Sequence, residues 1–327
     1  MADGGLTILD GNQLRAVDLS PPSPDGAVTG AQLLELAESR VSASLFGLAL
    51  PENLKSAVLR RLEIGDDFSS FSAKELDREN ASSFLQNYVS IAADELKDDP
   101  MVLSILDGKA LRIILEDEDD FAMLAENLFT DLDIEDRGKI RKSEIQNALL
   151  HMGIEMGVPP FAEFPRLSDI LKKHGAEGEE ELGQAQFAQL LQPVLQELAD
   201  ALTENHVVVV QNVKIINGSQ LRKVLANEKL LNDVVDKIIQ EKNGQADAKT
   251  TKELIRYFLQ KNGKDLGLPP LRADEMVVLL YDAVFADVEE TKNTPGSEEN
   301  FMVVLNEILV RFAEQLEANP VFHDLGI

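Results

Sequence analysis

Three segments of this chain repeat one another, and that recurrence limits the possible folds more than any other feature. ILDGNQLRAV starts at Ile8, ILDGKALRII at Ile105 and IINGSQLRKV at Ile215. Each is a short apolar run, an Asp-Gly or Asn-Gly turn, and a helix start carrying a Leu-Arg pair. The spacings are 97 and then 110 residues. A second marker closes each unit: FLQNYVSIAADELKDDPMV from Phe84, FAQLLQPVLQELADALTENHVVV from Phe187 and FMVVLNEILVRFAEQLEANPVF from Phe301. These share an apolar helix, an acidic stretch and a valine exit. A third lies mid-unit, where MGVPP ending at Pro160 parallels LGLPP ending at Pro270, with ALPEN near Pro51 a weaker counterpart. Three markers in one order predict three tandem units, over residues 1–104, 105–214 and 215–327.

Between the markers the apolar period is helical. Phe121, Leu124, Ala125 and Leu128 fall on one face at i, i+3, i+4 and i+7, as do Ile145, Ala148, Leu149 and Met152. Val277, Leu280, Tyr281 and Val284 repeat the rule in the third unit. Each unit therefore reads as roughly four helices joined in pairs through short loops, an all-α protein. Helix, tight loop, helix, taken twice, is the layout of paired EF-hands.

The stretch 131–144, DLDIEDRGKIRKSE, carries the loop that bears on function. An EF-hand loop offers ligands at positions 1, 3, 5, 7, 9 and 12, with Gly at 6 for the sharp turn. With Gly138 at 6, Asp133 stands at 1, Glu135 at 3, Arg137 at 5, Lys139 at 7, Ile140 at 8, Arg141 at 9 and Glu144 at 12. Asp133, Gly138, Ile140 and Glu144 match the EF-hand family well. The expected metal ligands are the carboxylates of Asp133, Glu135 and Glu144 and the backbone carbonyl of Lys139. Arg137 departs from the pattern, since it offers no oxygen and brings a positive charge. Over 133–144 there are four acids and four bases, so the loop has no net charge and little long-range pull on a divalent ion. Weak Ca2+ binding is the expectation.

The other loops are poorer. Pro21–Gln32 keeps Gly26 at position 6 and Val28 at 8 but has Pro at 1 and Gln at 12. Gly175–Gln186 keeps Leu182 at 8, with Gly at 1 and Gln at 12. KNGQADAKTTKE from Lys242 retains only Glu253 at 12, the acidic 287–300 stretch fits no register, and 66–83 is irregular. All five read as metal-free partners that hold the fold by helix packing.

The composition excludes several roles. With 31 basic and 58 acidic residues the net charge is −27, a field that repels nucleic acid and anionic lipid and attracts basic protein segments. There are no cysteines, hence no disulfides, thiolate metal sites or thiol nucleophiles. No apolar run approaches the roughly 20 residues of a membrane span, and MADGGLTILDG lacks the basic start and apolar core of a secretory leader. The four histidines are scattered and no phosphate-binding glycine loop is present, so no enzyme is expected. EDEDD at Glu116–Asp120 reads as solvated charge or as acids at a helix N-terminus. The methionines at 101, 123, 152, 156, 276 and 302 suit either a core or an adaptable target groove.

Taken along the whole chain, the triplicated layout with its ILDG and PP markers resembles a family of plant EF-hand proteins. It is similar to calcium sensors that bind and restrain stress- and abscisic-acid-activated protein kinases. The resemblance implies one nearly complete loop among degenerate ones, calcium-modulated binding to a protein kinase, and a cytoplasmic location with the nucleus also open. Calcium at Asp133–Glu144 is then expected to reorient the following helix and expose apolar surface near Leu149 and Met152. The competing expectation is a metal-independent scaffold whose acidic surface binds basic partner segments.

Overall fold

The computed structural model describes residues 6–17, 19, 28–64, 68–243, 250–271, 275–288 and 298–324. Among these residues the protein is mostly helical, with fourteen α-helices and a few small sheets. The sheets qualify the all-α expectation. The apolar runs before each Asp-Gly or Asn-Gly turn and after each closing helix are rich in Ile, Leu and Val, and they pair as short strands.

The three recurring turns share one local construction. The turn acid or amide binds the backbone two residues on: Asp10 Oδ1 accepts from Asn12 N at 3.1 Å, Asp107 Oδ1 from Lys109 N at 3.1 Å, and Asn217 Oδ1 from Ser219 N at 3.2 Å. The glycine between them is left-handed, with φ of +83° at Gly11, +82° at Gly108 and +79° at Gly218. Each glycine also touches the long helix that closes its repeat. A Cβ at Gly11 would lie 2.2 Å from the Ala93 carbonyl oxygen, one at Gly108 2.2 Å from that of Ala199, and one at Gly218 2.7 Å from that of Ala313. Both the turn and the contact therefore demand glycine. The leucine of each Leu-Arg pair, Leu14, Leu111 and Leu221, is buried. The arginine reaches an acid on the same closing helix: Arg15 to Asp94 at 3.3 Å, Arg112 to Asp200 at 2.9 Å and Arg222 to Glu317 at 2.8 Å.

The closing helices, Arg78–Asp98, Gln184–Glu204 and Glu298–Ala318, each have 21 residues. A strand follows each of them: Met101–Leu106, Val207–Val210 and Val321–Asp324. The unequal repeat spacing has a local origin. Eleven residues separate Ala16 from Val28, fewer than the fifteen of the Glu118–Leu132 helix in the matching interval of the second repeat.

Residue contacts gather the chain into two compact units. One comprises Val102–Gln211 with the first residues through Ile8, and the other Leu9–Met101 with Asn212–Ile327. The first unit holds all but the end residues of one sheet, in the order Leu6–Leu9, Met101–Leu106, Val207–Val210, whose last two strands pair antiparallel from Leu103↔Val210 to Leu106↔Val207. Its core joins Phe121, Ala125 and Leu128 to Ile145, Leu149, Leu167, Ile170, Phe187, Leu191 and Leu195. The acidic start of the Glu118–Leu132 helix is a cap: Asp117 Oδ1 accepts from Asp119 N and Asp120 N, both at 3.0 Å. This satisfies two of the donors that a helix leaves open at its first turn.

In the second unit, Ile255, Phe258, Val277, Tyr281, Val284 and Phe312 lie in one core. The predicted face Val277, Leu280, Tyr281 and Val284 packs there, with Leu280 partly buried. The last carbonyls of the Arg78–Asp98 helix find partners in the Asn-Gly turn of the third repeat. Asn217 Nδ2 donates to Lys97 O at 3.0 Å and Ser219 Oγ to Asp98 O at 2.9 Å, while Lys223 pairs with the Asp98 carboxylate at 2.7 Å. Strand Val213–Ile216 pairs antiparallel with Val321–Asp324.

Gly108→Ala combines left-handed strain with a backbone clash, and is expected to lower unfolding free energy by about 2–4 kcal/mol. Gly47→Ala serves as the control, because Gly47 has φ of +84° but nothing within 4 Å of an added Cβ. It should cost only about 1–2 kcal/mol. Urea titration of the two variants against the parent measures both.

Candidate functional site

The loop after the Glu118–Leu132 helix is built around Asp133. Its carbonyl accepts from Asp136 N at 2.8 Å, its Oδ1 from Arg137 N at 3.0 Å and its Oδ2 from Gly138 N at 2.6 Å. One side chain thus folds the chain back over five residues. Asp136 at φ +50° and Gly138 at φ +69° make the turn left-handed twice. Nothing lies within 4 Å of a Cβ at Gly138, so glycine is there for conformation and not for space.

The loop then enters a two-residue ladder, Ile140–Arg141 against Glu181–Leu182, with Ile140 opposite Leu182. Both apolar side chains are buried. Lys142 N donates to Glu180 O at 2.8 Å and Ser143 N to Gly178 O at 3.1 Å, which extends the bridge to the second loop. Glu144 opens the Glu144–Met152 helix, whose Ile145, Ala148, Leu149 and Met152 are all buried. The surface expected near Leu149 and Met152 is therefore covered in this state.

The four predicted metal-ligating residues share this loop, but the three carboxylates are engaged separately. Glu135 pairs with Arg137 Nε at 3.1 Å, and Glu144 Oε2 accepts from Asn147 Nδ2 at 2.6 Å. Asp133 is committed to the backbone, and Lys139 Nζ points its charge to Glu181 at 3.8 Å. Among the described residues no three Asp, Glu or His side chains are gathered closely enough to hold a metal ion. The donor types are the hard oxygens that calcium takes. Their assembly requires Glu135 and Glu144 to leave their present partners. The Glu135–Arg137 pair is well exposed, and exposed pairs of this kind contribute only about 0–1 kcal/mol, so releasing Glu135 is cheap.

The facing loop changes the charge argument. Lys139, Arg141 and Lys142 reach Glu181, Glu179 and Glu180 at 3.8, 3.0 and 2.5 Å. Lys142 and its hydrogen bond come first in holding the Glu180 carboxyl below its usual range. Loop 133–144 is neutral by itself, but 175–186 contributes four glutamates and no base, so the pair together carries −4. A single-loop count missed this. The signal was present in the EEE run at 179–181, which lies opposite KIRK once the loops are paired.

The glutamines at position 12 also have a defined task. Gln32 Oε1 accepts from Thr29 N at 3.1 Å and Gln186 Oε1 from Gly183 N at 3.1 Å. Gln32 completes a reciprocal capping box with Thr29, whose Oγ1 accepts from Gln32 N, whereas Gln186 supplies only the returning half, because Gly183 has no side chain. In the first repeat, Val28 stands opposite Leu76 just as Ile140 stands opposite Leu182. Residues 21–27, 244–249 and 289–297, on which the rest of the first loop and the centres of both loops in the third repeat fall, lie outside the described residues. Among the described residues no helix is long and apolar enough to cross a membrane.

Ile140→Ala removes one half of the buried pair between the loops and is expected to cost about 2–4 kcal/mol in urea titration. Glu179→Gln removes only an exposed ion pair and should leave the unfolding midpoint nearly unchanged.

Comparison of the chain with protein-family models, with curated proteins and with solved structures gave no match.

Proposed function

We propose that this protein is a non-enzymatic regulator built from EF-hand-like helix pairs, which takes up one calcium ion weakly at 133–144 and binds a protein partner in a calcium-modulated way. The observation that supports this reading is the loop's architecture: an aspartate cap at Asp133, a left-handed Gly138, a paired Ile140 and a glutamate at the head of the next helix. Asp133, Glu135 and Glu144 would hold the ion through carboxylates, and Lys139 through its carbonyl. The −4 charge of the loop pair supplies the attraction that the single loop lacks.

Ion uptake is coupled to the neighbouring helix by the chain's own residues. Glu144 is the first residue of that helix, so drawing its carboxylate toward the loop pulls on the segment that buries Ile145, Leu149 and Met152. Movement there exposes apolar surface to a partner, and the partner implied by the family resemblance is a stress-activated protein kinase. Net charge of −27 favours basic segments of that partner over nucleic acid.

A second reading, a metal-independent scaffold, is favoured by a specific observation. Gln32 and Gln186 close their loops without any ion, and Arg137 occupies Glu135. Calorimetric titration of metal-free protein with calcium at millimolar magnesium separates the two. The calcium reading expects one saturable site in the parent and none in Glu144→Gln. No heat in either protein leaves the scaffold. Arg137→Asp frees Glu135 and adds an oxygen donor, and is expected to tighten calcium binding at least about tenfold, the direction Coulomb's law gives for reversing a charge beside the ion.

A further inference from the structure

The first repeat contains a pocket that its structural counterparts do not predict. It has a volume of about 300 Å³ and lies among the helices Gly30–Ser44, Glu52–Arg61 and Arg78–Asp98. Its polar lining includes Glu35, Glu38, Glu52, Lys55 and Tyr88. Tyr88 is fully buried, and its hydroxyl has no hydrogen-bond partner among the described residues. A buried hydroxyl left unpaired destabilises the fold unless something else satisfies it.

Internal comparison sharpens the anomaly. The glycine contacts place Ala93, Ala199 and Ala313 at equivalent points of the three closing helices. Counting back five residues from each gives Tyr88, Val194 and Ile308. All three are core residues, but the second and third repeats fill the position with an aliphatic side chain. The fold therefore tolerates a plain apolar group here, and packing does not call for the Tyr88 hydroxyl. Beside it, Lys55 Nζ lies 2.7 Å from Glu38 Oε1, an ion contact without hydrogen-bond alignment. Burial first, and then the charge of Glu38, holds the Tyr88 hydroxyl well above its ordinary pKa, so it remains protonated.

The lining carries three glutamates against one lysine and so is net negative. Its volume equals the liquid share of about ten waters, far more than one bridging water needs. The chemistry that satisfies such a set is planar, cationic and rich in donors: a guanidinium can donate to Glu38 and to the tyrosine oxygen at once, while the tyrosine proton turns to a carboxylate. We propose that the pocket framed by Glu38, Lys55 and Tyr88 is a socket for an arginine side chain presented by a protein partner. This inference rests on the proposed protein-binding role for the source of the arginine and is independent of calcium.

The test uses the full chain carrying Glu144→Gln, in chelator, so that loss of the calcium reading leaves it unaffected. Tyrosine rings are labelled with carbon-13, and Tyr88→Phe identifies the Tyr88 signal among the three tyrosines. Acetylated, amidated Gly-Arg-Gly is titrated against its citrulline counterpart, which has the shape of arginine without the charge. The expected result is a saturable shift of the Tyr88 ring with the arginine peptide and none with citrulline. Glu38→Gln is expected to weaken that binding about tenfold, roughly what one lost charge contact of 1.4 kcal/mol gives. No shift, or equal shifts with both peptides, overturns the proposal and leaves a pocket that holds solvent only. Undiminished binding by a folded Glu38→Gln protein overturns it as well. If that variant does not fold, the arginine–citrulline comparison in otherwise parental sequence decides alone.

Discussion

In every repeat a glycine is pressed against an alanine carbonyl of the closing helix, leaving no room for a Cβ, and the rest of the repeat is arranged about that approach. At Gly11, Gly108 and Gly218 the chain reverses in the left-handed region while pressed against the closing helix. That approach sets the next leucine into the core and leaves the next arginine beside the helix's acids. The contact fixes where the lead-in strand ends and at what height the 21-residue helix passes it. Helix propensity alone does not determine such a register. A steric limit on one atom does.

Much of this was legible in the amino-acid order because the limits act on residue types. Only glycine tolerates the turn, only Asp or Asn completes it, and the leucine must be apolar, so the motif ILDG…LR recurs visibly. The helical faces of Phe121–Leu128 and Ile145–Met152 were legible for a similar reason, since a period of 3.6 is visible in any amphipathic segment. The short strands were less so. Four apolar residues in a row fit a buried helix turn as readily as a strand, and only pairing with a distant run separates the two. Residues 9–101 and 212–327 fall in one compact unit through contacts such as Asn217 with Lys97, which no local pattern reports.

The candidate site was legible as a frame and illegible as an electrostatic object. Asp133, Gly138, Ile140 and Glu144 were visible by spacing; the turn at Gly138 and the pairing of Ile140 follow that spacing, whereas the spacing gave Asp133 and Glu144 as metal ligands and said nothing of the backbone bonds that Asp133 accepts. The neutral charge of the loop was a misleading quantity, because its bases face Glu179, Glu180 and Glu181 across about forty residues of chain. Charge must be summed over what is adjacent in space, and adjacency here comes from a two-residue ladder. Tyr88 was hidden for the opposite reason: a tyrosine at a core period looks like any other aromatic until its hydroxyl is found without a partner.

The glutamine caps have a thermodynamic consequence. Because Gln186 already fixes the start of the Gln184–Glu204 helix and Gly183 with it, that side of the loop pair has less chain freedom left to lose. The Ile140–Leu182 bridge therefore anchors an adjustable loop to a preset one. Such a pair resembles a vice with one fixed jaw: under the proposed ion uptake, displacement would be channelled into the Glu144–Met152 helix instead of being shared between two yielding partners.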